Sequence, residues 1–158
     1  QDRFMTTGQV PPQLAARLGL TGLAGRASAQ AADLKQRLGD EMTHKLIVDA
    51  ATAVIADAER IEGQLHNPEA VVVYDILRGP RGSQLYSQLA PLYTWAQSSD
   101  HAPSAAMQKR WSELHSELRE REAAIADMSA GSVARLEAAV RTAQLPRLIL
   151  PTLKAPVP

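Results

Sequence analysis

Residues 104–143 read SAAMQKRWSELHSELREREAAIADMSAGSVARLEAAVRTA, and their apolar side chains return every three or four positions. The members of this series are Met107, Trp111, Leu114, Leu118, Ile125 and Met128. Arg121 fills the one polar position among them. Because an α-helix repeats about every 3.6 residues, such spacing places these side chains along one face. The stretch therefore predicts a long amphipathic helix.

Two further signals concern the start of this helix and an irregularity within it. Ser104 belongs to the residue types whose side chains commonly cap a helix N-terminus. Val133, Leu136 and Val140 resume the apolar series one position out of register. We therefore predict a stagger or a short turn at Ser129–Ser132.

A second apolar series predicts a long helix over residues 28–66. Its members recur at three- and four-residue steps, as one face of a helix requires. They are Leu34, Leu38, Met42, Leu46, Ala50, Val54, Ala58, Ile61 and Leu65, with Ile47, Ala51 and Ile55 beside them. Most steps exceed the helical repeat of about 3.6 residues, so the stripe drifts around the helix and favours more than one neighbour. Asn67 and Pro68 end the pattern, because proline cannot continue the helical hydrogen bonding.

The segment between these helices, residues 69–97, is predicted to form two shorter helices. Residues 69–78 continue at helical spacing, although Val71–Val73 also suits a strand. The run Gly79-Pro80-Arg81-Gly82 breaks the first of these helices. Ser83 is predicted to cap the second, whose apolar face carries Leu85, Leu89 and Leu92.

Length and composition favour a single all-α domain. The chain has 158 residues and only 4% aromatic residues, so Ala and Leu must supply most of its core, and both suit packed helices. We predict an antiparallel three- or four-helix bundle of long helices over residues 27–144. Residues 1–26 are predicted to be an N-terminal arm with a short helix that the glycines at 19, 22 and 25 end. Residues 145–158 are predicted to be a Pro-rich extended tail.

Charge and residue usage exclude several classes of function. The 17 basic and 17 acidic residues balance, and no concentrated basic face predicts binding to nucleic acid. The absence of Cys excludes disulfides and thiolate metal sites. No stretch approaches the roughly 20 apolar residues of a transmembrane helix. The chain begins with Gln1 rather than Met, which slightly favours an exported, processed protein.

No arrangement of reactive side chains predicts an enzyme, a cofactor or a metal site. The four His residues do not form the H-E-x-x-H pattern of zinc sites. Asp40, Glu41 and His44 lie within one helical turn, and a solvated polar face explains them better than a metal site. Ser99-Asp100-His101 holds triad residue types side by side, but a triad requires convergence in space.

Two features favour the binding of a partner. Tyr74, Tyr86, Tyr93 and Trp95 cluster in sequence around a turn that carries Arg78 and Arg81, and Tyr, Trp and Arg dominate binding hot spots. The alternative is that these aromatic residues fill an Ala-rich core. The apolar tail, with Leu148, Ile149 and Leu150, is suited either to dock on a partner or to fold back over its own helices.

The run LRGPRG at residues 77–82, before Leu85, Tyr93 and Trp95, resembles the turn after the helix in minor pilus-tip subunits of type IV secretion systems. The resemblance covers this short segment alone. Pro80 and the shortened spacing to Trp95 depart from the family's pattern.

The sequence thus predicts a non-enzymatic interaction or assembly module that binds a protein partner or associates with itself. A subunit of a secretion or pilus apparatus, as the resemblance implies, is a special case. The alternative hypothesis is a ligand-sensing bundle that holds a small molecule or metal between its helices, with residues 69–97 as the wall of the pocket.

Overall fold

The computed structural model of the chain describes residues 20–39, 44–67, 82–98 and 101–145. Their regular structure is entirely helical, and no strand occurs among them. The helices are α1 (Leu20–Leu38), α2 (Lys45–Leu65), α3 (Leu85–Gln97), α4 (Ala105–Met128) and α5 (Ala134–Thr142), with a π-helical segment (Ser129–Val133) between α4 and α5. The predicted all-α class is confirmed for these ranges.

Several predictions fall wholly or mainly outside this part of the chain. They concern most of the N-terminal arm, the helix at residues 69–78, most of the Gly-Pro-Arg-Gly break and the extended tail. The bundle arrangement and the division into arm, helical domain and tail stay predictions.

The described chain divides into two compact units. The first unit contains Leu20–Glu62 together with residues 123–145, and the second unit contains Gly63–Glu122. Each unit is described below by its own contacts.

In the first unit, α1 and α2 run in opposite directions. The Nζ atom of Lys35 donates a hydrogen bond of 3.2 Å to the hydroxyl oxygen of Thr52. Near the other end, a Cβ placed on Gly25 would lie 3.7 Å from a carboxylate oxygen of Glu62. A later position on α1 therefore meets an earlier position on α2. The buried face of α1 consists mainly of small side chains: Ala24, Ala27, Ala31 and Leu34.

The prediction of one continuous helix over residues 28–66 is wrong at both its start and its middle. Helix α1 begins at Leu20, so Gly22 and Gly25 lie inside it and do not end a shorter helix. It ends at Leu38, where Gly39 takes a φ of +61° and donates its N–H to the carbonyl of Lys35 at 3.2 Å. Glycine adopts this left-handed conformation without a Cβ penalty, so it closes the helix there.

The break also changes the predicted face of α2. Leu46 was expected in the core but is 80% exposed, whereas its neighbour Ile47 is 3% exposed. The prediction carried the phase of α1 across the break, and a new helix need not keep that phase. The predicted members Val54, Ala58, Ile61 and Leu65 are buried. The face is completed by Ile47 and Ala51.

Replacing Gly39 by Ala is expected to lower the free energy of unfolding by about 1 kcal/mol. The cost comes from the positive φ, since no described atom lies within 4 Å of the added Cβ. Gly131 has equally open surroundings but helical backbone, so Gly131→Ala is the matched control and should raise the free energy by about 0.5–1 kcal/mol. Urea unfolding followed by circular dichroism measures both. Equal changes of the same sign would contradict this explanation.

In the second unit, α3 presents the leucine face that its sequence predicts. Leu85, Leu89 and Leu92 are buried, and Ala96 extends this face by one turn. The predicted cap at Ser83 is wrong, because Gln84 occupies the N-cap position and makes no capping bond with its side chain.

The helix predicted over residues 104–143 is confirmed as a continuous helical run from Ala105 to Thr142. The backbone N–H of Met107 donates to the hydroxyl of Ser104 at 3.3 Å, as the predicted cap requires. The predicted irregularity is the π-helical segment, in which one extra residue per turn is accommodated. The buried face carries Trp111, Leu114, Leu118, Ile125, Met128, Val133, Leu136 and Val140.

Helix α5 is followed by a residue with a left-handed backbone conformation, at a position where glycine is usual. Gln144 has a φ of +54°, and its N–H donates to the carbonyl of Arg141 at 3.1 Å. The N–H of Leu145 donates to the carbonyl of Val140, also at 3.1 Å. These two bonds form a Schellman motif, which satisfies carbonyls at the helix end.

Candidate interaction surface

Helix α3 lies within the longest stretch of the sequence that has no charged residue and no His. Residues 82–99 contain no Asp, Glu, Lys, Arg or His, although charged residues make up 22% of the sequence. Exposed helix surfaces normally carry charged side chains. An exposed face without them needs a different explanation.

The aromatic side chains of α3 are exposed to solvent. Tyr86 is 50% exposed, Tyr93 is 39% exposed and Trp95 is 63% exposed. The fourth aromatic residue in the described ranges, Trp111, is buried and stacks on His115 with ring centroids 5.3 Å apart. The alternative that the aromatic residues of α3 fill the core therefore does not hold.

These three aromatic residues do not form one surface. Successive residues of an α-helix are about 100° apart around its axis. From the centre of the buried leucine face, Tyr86 and Tyr93 lie about 70–90° to one side, and Trp95 lies about 90° to the other. The structure brings the two tyrosines together and separates the tryptophan from them.

Tyr86, Ala90 and Tyr93 make a second stripe next to the leucine face, which we call the tyrosine flank. Steps of four and three residues align them along the helix. Ala90 is half-buried and lies between two large exposed rings. Together, the leucine face and the tyrosine flank form an apolar arc of about 160° around the axis of α3. This arc is wider than the part of the helix surface that is buried within its own unit.

The opposite flank, which carries Trp95, is tied to polar groups of α4. The Nε2 atom of Gln88 donates to the carbonyl of Ser83 at 2.9 Å, and its Oε1 accepts from the guanidinium of Arg110. Arg110 also forms an ion pair of 2.8 Å with Glu113. Gln88 lies two turns before Trp95 on the same side of α3. This flank therefore has charged side chains beside it.

The other predicted binding residues lie outside the described ranges: Tyr74, Arg78, Arg81, Leu148, Ile149 and Leu150. For them the interaction surface stays a prediction. Sequence reasoning overlooked Ala90, which completes the tyrosine flank. The signals that reveal it were present in the sequence, namely the uncharged stretch and the seven-residue spacing of the tyrosines.

A polar cluster in the second unit surrounds Arg121, the predicted polar position of α4. Its guanidinium donates to the side-chain oxygen of Gln64 at 3.0 Å. It also lies 3.7 Å from a carboxylate oxygen of Glu117 and 3.8 Å from one of Glu120. Through the bond to Gln64, this cluster ties α4 to the end of α2.

Neither a metal site nor a membrane-spanning helix occurs in the described part of the chain. No group of three or more His, Asp or Glu side chains is placed there to hold a metal ion. None of the helices in these ranges is long and apolar enough to cross a membrane.

Comparison with known proteins adds no identity to this geometry. No protein family, curated protein or solved structure matches the chain.

Proposed function

We propose that this protein is a non-enzymatic helical interaction module whose tyrosine flank binds a protein surface. The observation that carries the proposal is the exposure of Tyr86 and Tyr93 on a helix that lies in an uncharged stretch of 18 residues, from 82 to 99. In this proposal the remaining helices form the antiparallel scaffold that holds α3 in place.

The composition of the flank is that of the centre of a protein interface. Such centres are depleted in charged residues and enriched in Tyr, Trp and Phe. Tyrosine supplies a large contact area with few rotatable bonds, and its hydroxyl tolerates water before the partner arrives. Burying an apolar area stabilises the complex by about 25 cal/mol per Å² before the costs of association are subtracted.

Membrane binding fits the flank less well. Helices that lie on anionic membranes carry Lys or Arg on their polar face, and these residues supply the electrostatic part of the attraction. Residues 82–99 contain neither. A protein surface is therefore the better match.

Site-specific photo-crosslinking tests this proposal. A photoreactive phenylalanine analogue would replace Tyr86 in the full chain, and cells of the source organism expressing it would be irradiated. We expect one adduct of defined mass, which contains this chain and another polypeptide chain. The same analogue at Ser116, which is exposed on the face of α4 opposite its buried side chains, is the matched control and should give none.

The outcome that contradicts the proposal is equally defined. If positions 86 and 116 give the same adducts, or neither gives any, the tyrosine flank is not a binding surface. Circular dichroism of both labelled proteins must match the unlabelled chain, so that a folding defect is recognised.

A further inference from the structure

We propose that the partner on the tyrosine flank is a second copy of this chain, with the two α3 helices antiparallel and crossing at Ala90. This inference rests on the proposed function and names the partner of the same surface. Two properties of the flank point to self-association, its internal symmetry and its lack of charge.

The tyrosine flank is nearly symmetric about its middle residue. Tyr86 precedes Ala90 by four positions, and Tyr93 follows it by three. A two-fold axis through Ala90 would place Tyr86 of each copy opposite Tyr93 of the other, so both ends of the contact would be occupied by ring pairs. Two-fold interfaces require such self-complementary patches. Aromatic pairs favour offset or edge-to-face contacts with centroids about 4.5–7 Å apart.

The small side chain at the centre permits close approach. Two helices that cross with small residues at the contact come within about 8 Å of each other, the low end of the usual range. Ala90 adds one methyl group from each copy at this point, whereas a larger residue would hold the tyrosines apart. The order of large, small and large side chains thus suits a helix crossing.

Charge favours a like partner as well. In a two-fold contact each charge near the axis faces its own copy, and like charges directly opposed destabilise the contact. The stretch 82–99 itself contributes no charge to such a contact. The whole chain has a formal net charge of +0, so long-range repulsion between copies is also absent.

The size of the flank predicts a weak and reversible dimer. Helix α3 has 13 residues and is about 20 Å long. One face of such a helix is smaller than the standard interface, which buries about 800 Å² per partner. We therefore expect a weak contact that dissociates readily on dilution.

Sedimentation equilibrium of the full chain between micromolar and millimolar concentrations tests this inference. The average mass should rise from 17.1 kDa towards twice that value. The single variants Ala90→Glu and Ala90→Lys should each stay monomeric, because each opposes like charges at the crossing. An equimolar mixture of the two should regain the dimer, since opposite charges then meet there. Ser116→Glu and Ser116→Lys, at an exposed position on α4 opposite its buried side chains, are the matched controls and should dimerise like the unchanged chain.

Each result decides the question. A monomer at millimolar concentration, or no recovery in the mixture, overturns the inference. If Ala90→Glu fails to fold by circular dichroism, the double variant Tyr86→Ser with Tyr93→Ser replaces it, and dimerisation by that variant overturns the inference. A monomeric chain that still yields a crosslinked adduct with a different protein from position 86 retains the proposed function and rejects the second copy. Absence of both dimer and adduct rejects both.

Discussion

Deletion of Gly131 is expected to leave the protein folded, whereas deletion of Arg119 from the same helical run is expected to unfold it. The π-helical segment Ser129–Val133 contains one residue more than an α-helical course needs. Met128 and Val133 are both buried across a five-residue step. Without Gly131 this step becomes four residues, which an α-helix places on the same face.

Deletion of Arg119 has no such compensation. Its side chain is exposed, so its own contacts contribute little. The deletion rotates every following residue by about 100° relative to Leu118 and turns Ile125 away from the buried face. Most of the free energy of unfolding, about 5–15 kcal/mol for a domain, should be lost. The deletion of Gly131 should change it by about 1 kcal/mol or less.

Thermal and urea unfolding of the two deletion variants are compared by far-ultraviolet circular dichroism, which reports helix content. A cooperative transition near that of the unchanged chain is expected after the loss of Gly131. Comparable damage by both deletions would show that the π-helical segment is needed for more than register.

The substitution Ile47→Ala is expected to cost about 2–5 kcal/mol, while Leu46→Ala should cost less than about 0.5 kcal/mol. The two side chains are adjacent and similar in size, but Ile47 is 3% exposed and Leu46 is 80% exposed. Loss of the buried side chain removes apolar contacts and leaves a cavity, whereas water already surrounds the exposed one. The contrast depends on the register of α2 alone.

Urea midpoints for the two variants, at unchanged slope, give these differences. A reversed order would mean that α2 keeps the phase of α1, as the sequence pattern alone suggested. Because both variants introduce Ala at neighbouring positions of α2, the effect of Ala on helix formation is nearly the same in both and drops out of the comparison.

The helical run of α4 and α5 was predictable to the level of its irregularity. Its apolar side chains follow three- and four-residue steps up to Met128 and then take one step of five to Val133. This step predicts a stagger or a short turn at Ser129–Ser132, and the structure shows that the irregularity is the π-helical segment. Of the predicted apolar series, Met107 is half-buried and the other members are buried.

The end of α1 was not predictable in the same way. Gly25 lies inside α1, whereas Gly39 ends it with a positive φ, yet both interrupt apolar patterns of similar spacing. Local sequence does not distinguish a glycine that a helix tolerates from one that ends it. The outcome depends on the packing contacts that the following helix can make in a new direction. A pattern that treats Gly39 as an interior residue carries the phase of α1 into α2 and so places Leu46 in the core.

The interaction surface was predictable in its residue types but not in its arrangement. The tyrosines and Trp95 stand out by composition. Their separation onto two flanks follows from helical spacing once Leu85, Leu89 and Leu92 are assigned to the buried face. The exposure of Tyr86 and Tyr93 depends on which neighbours α3 meets, and this information lies elsewhere in the chain.

Helix α3 is unusually dependent on its surroundings. Its N-terminus has no side-chain cap, its residues offer no ion pairs, and Pro91 has no N–H to donate to the carbonyl of Ser87. A peptide of 13 residues with these properties would be mostly unfolded in water, where helices shorter than about 12–15 residues are marginal even in Ala-rich sequences. The burial of its leucines therefore maintains its shape. Any chain that covered Tyr86 and Tyr93 would add to that burial and slow the exchange of the amide hydrogens of α3 with solvent.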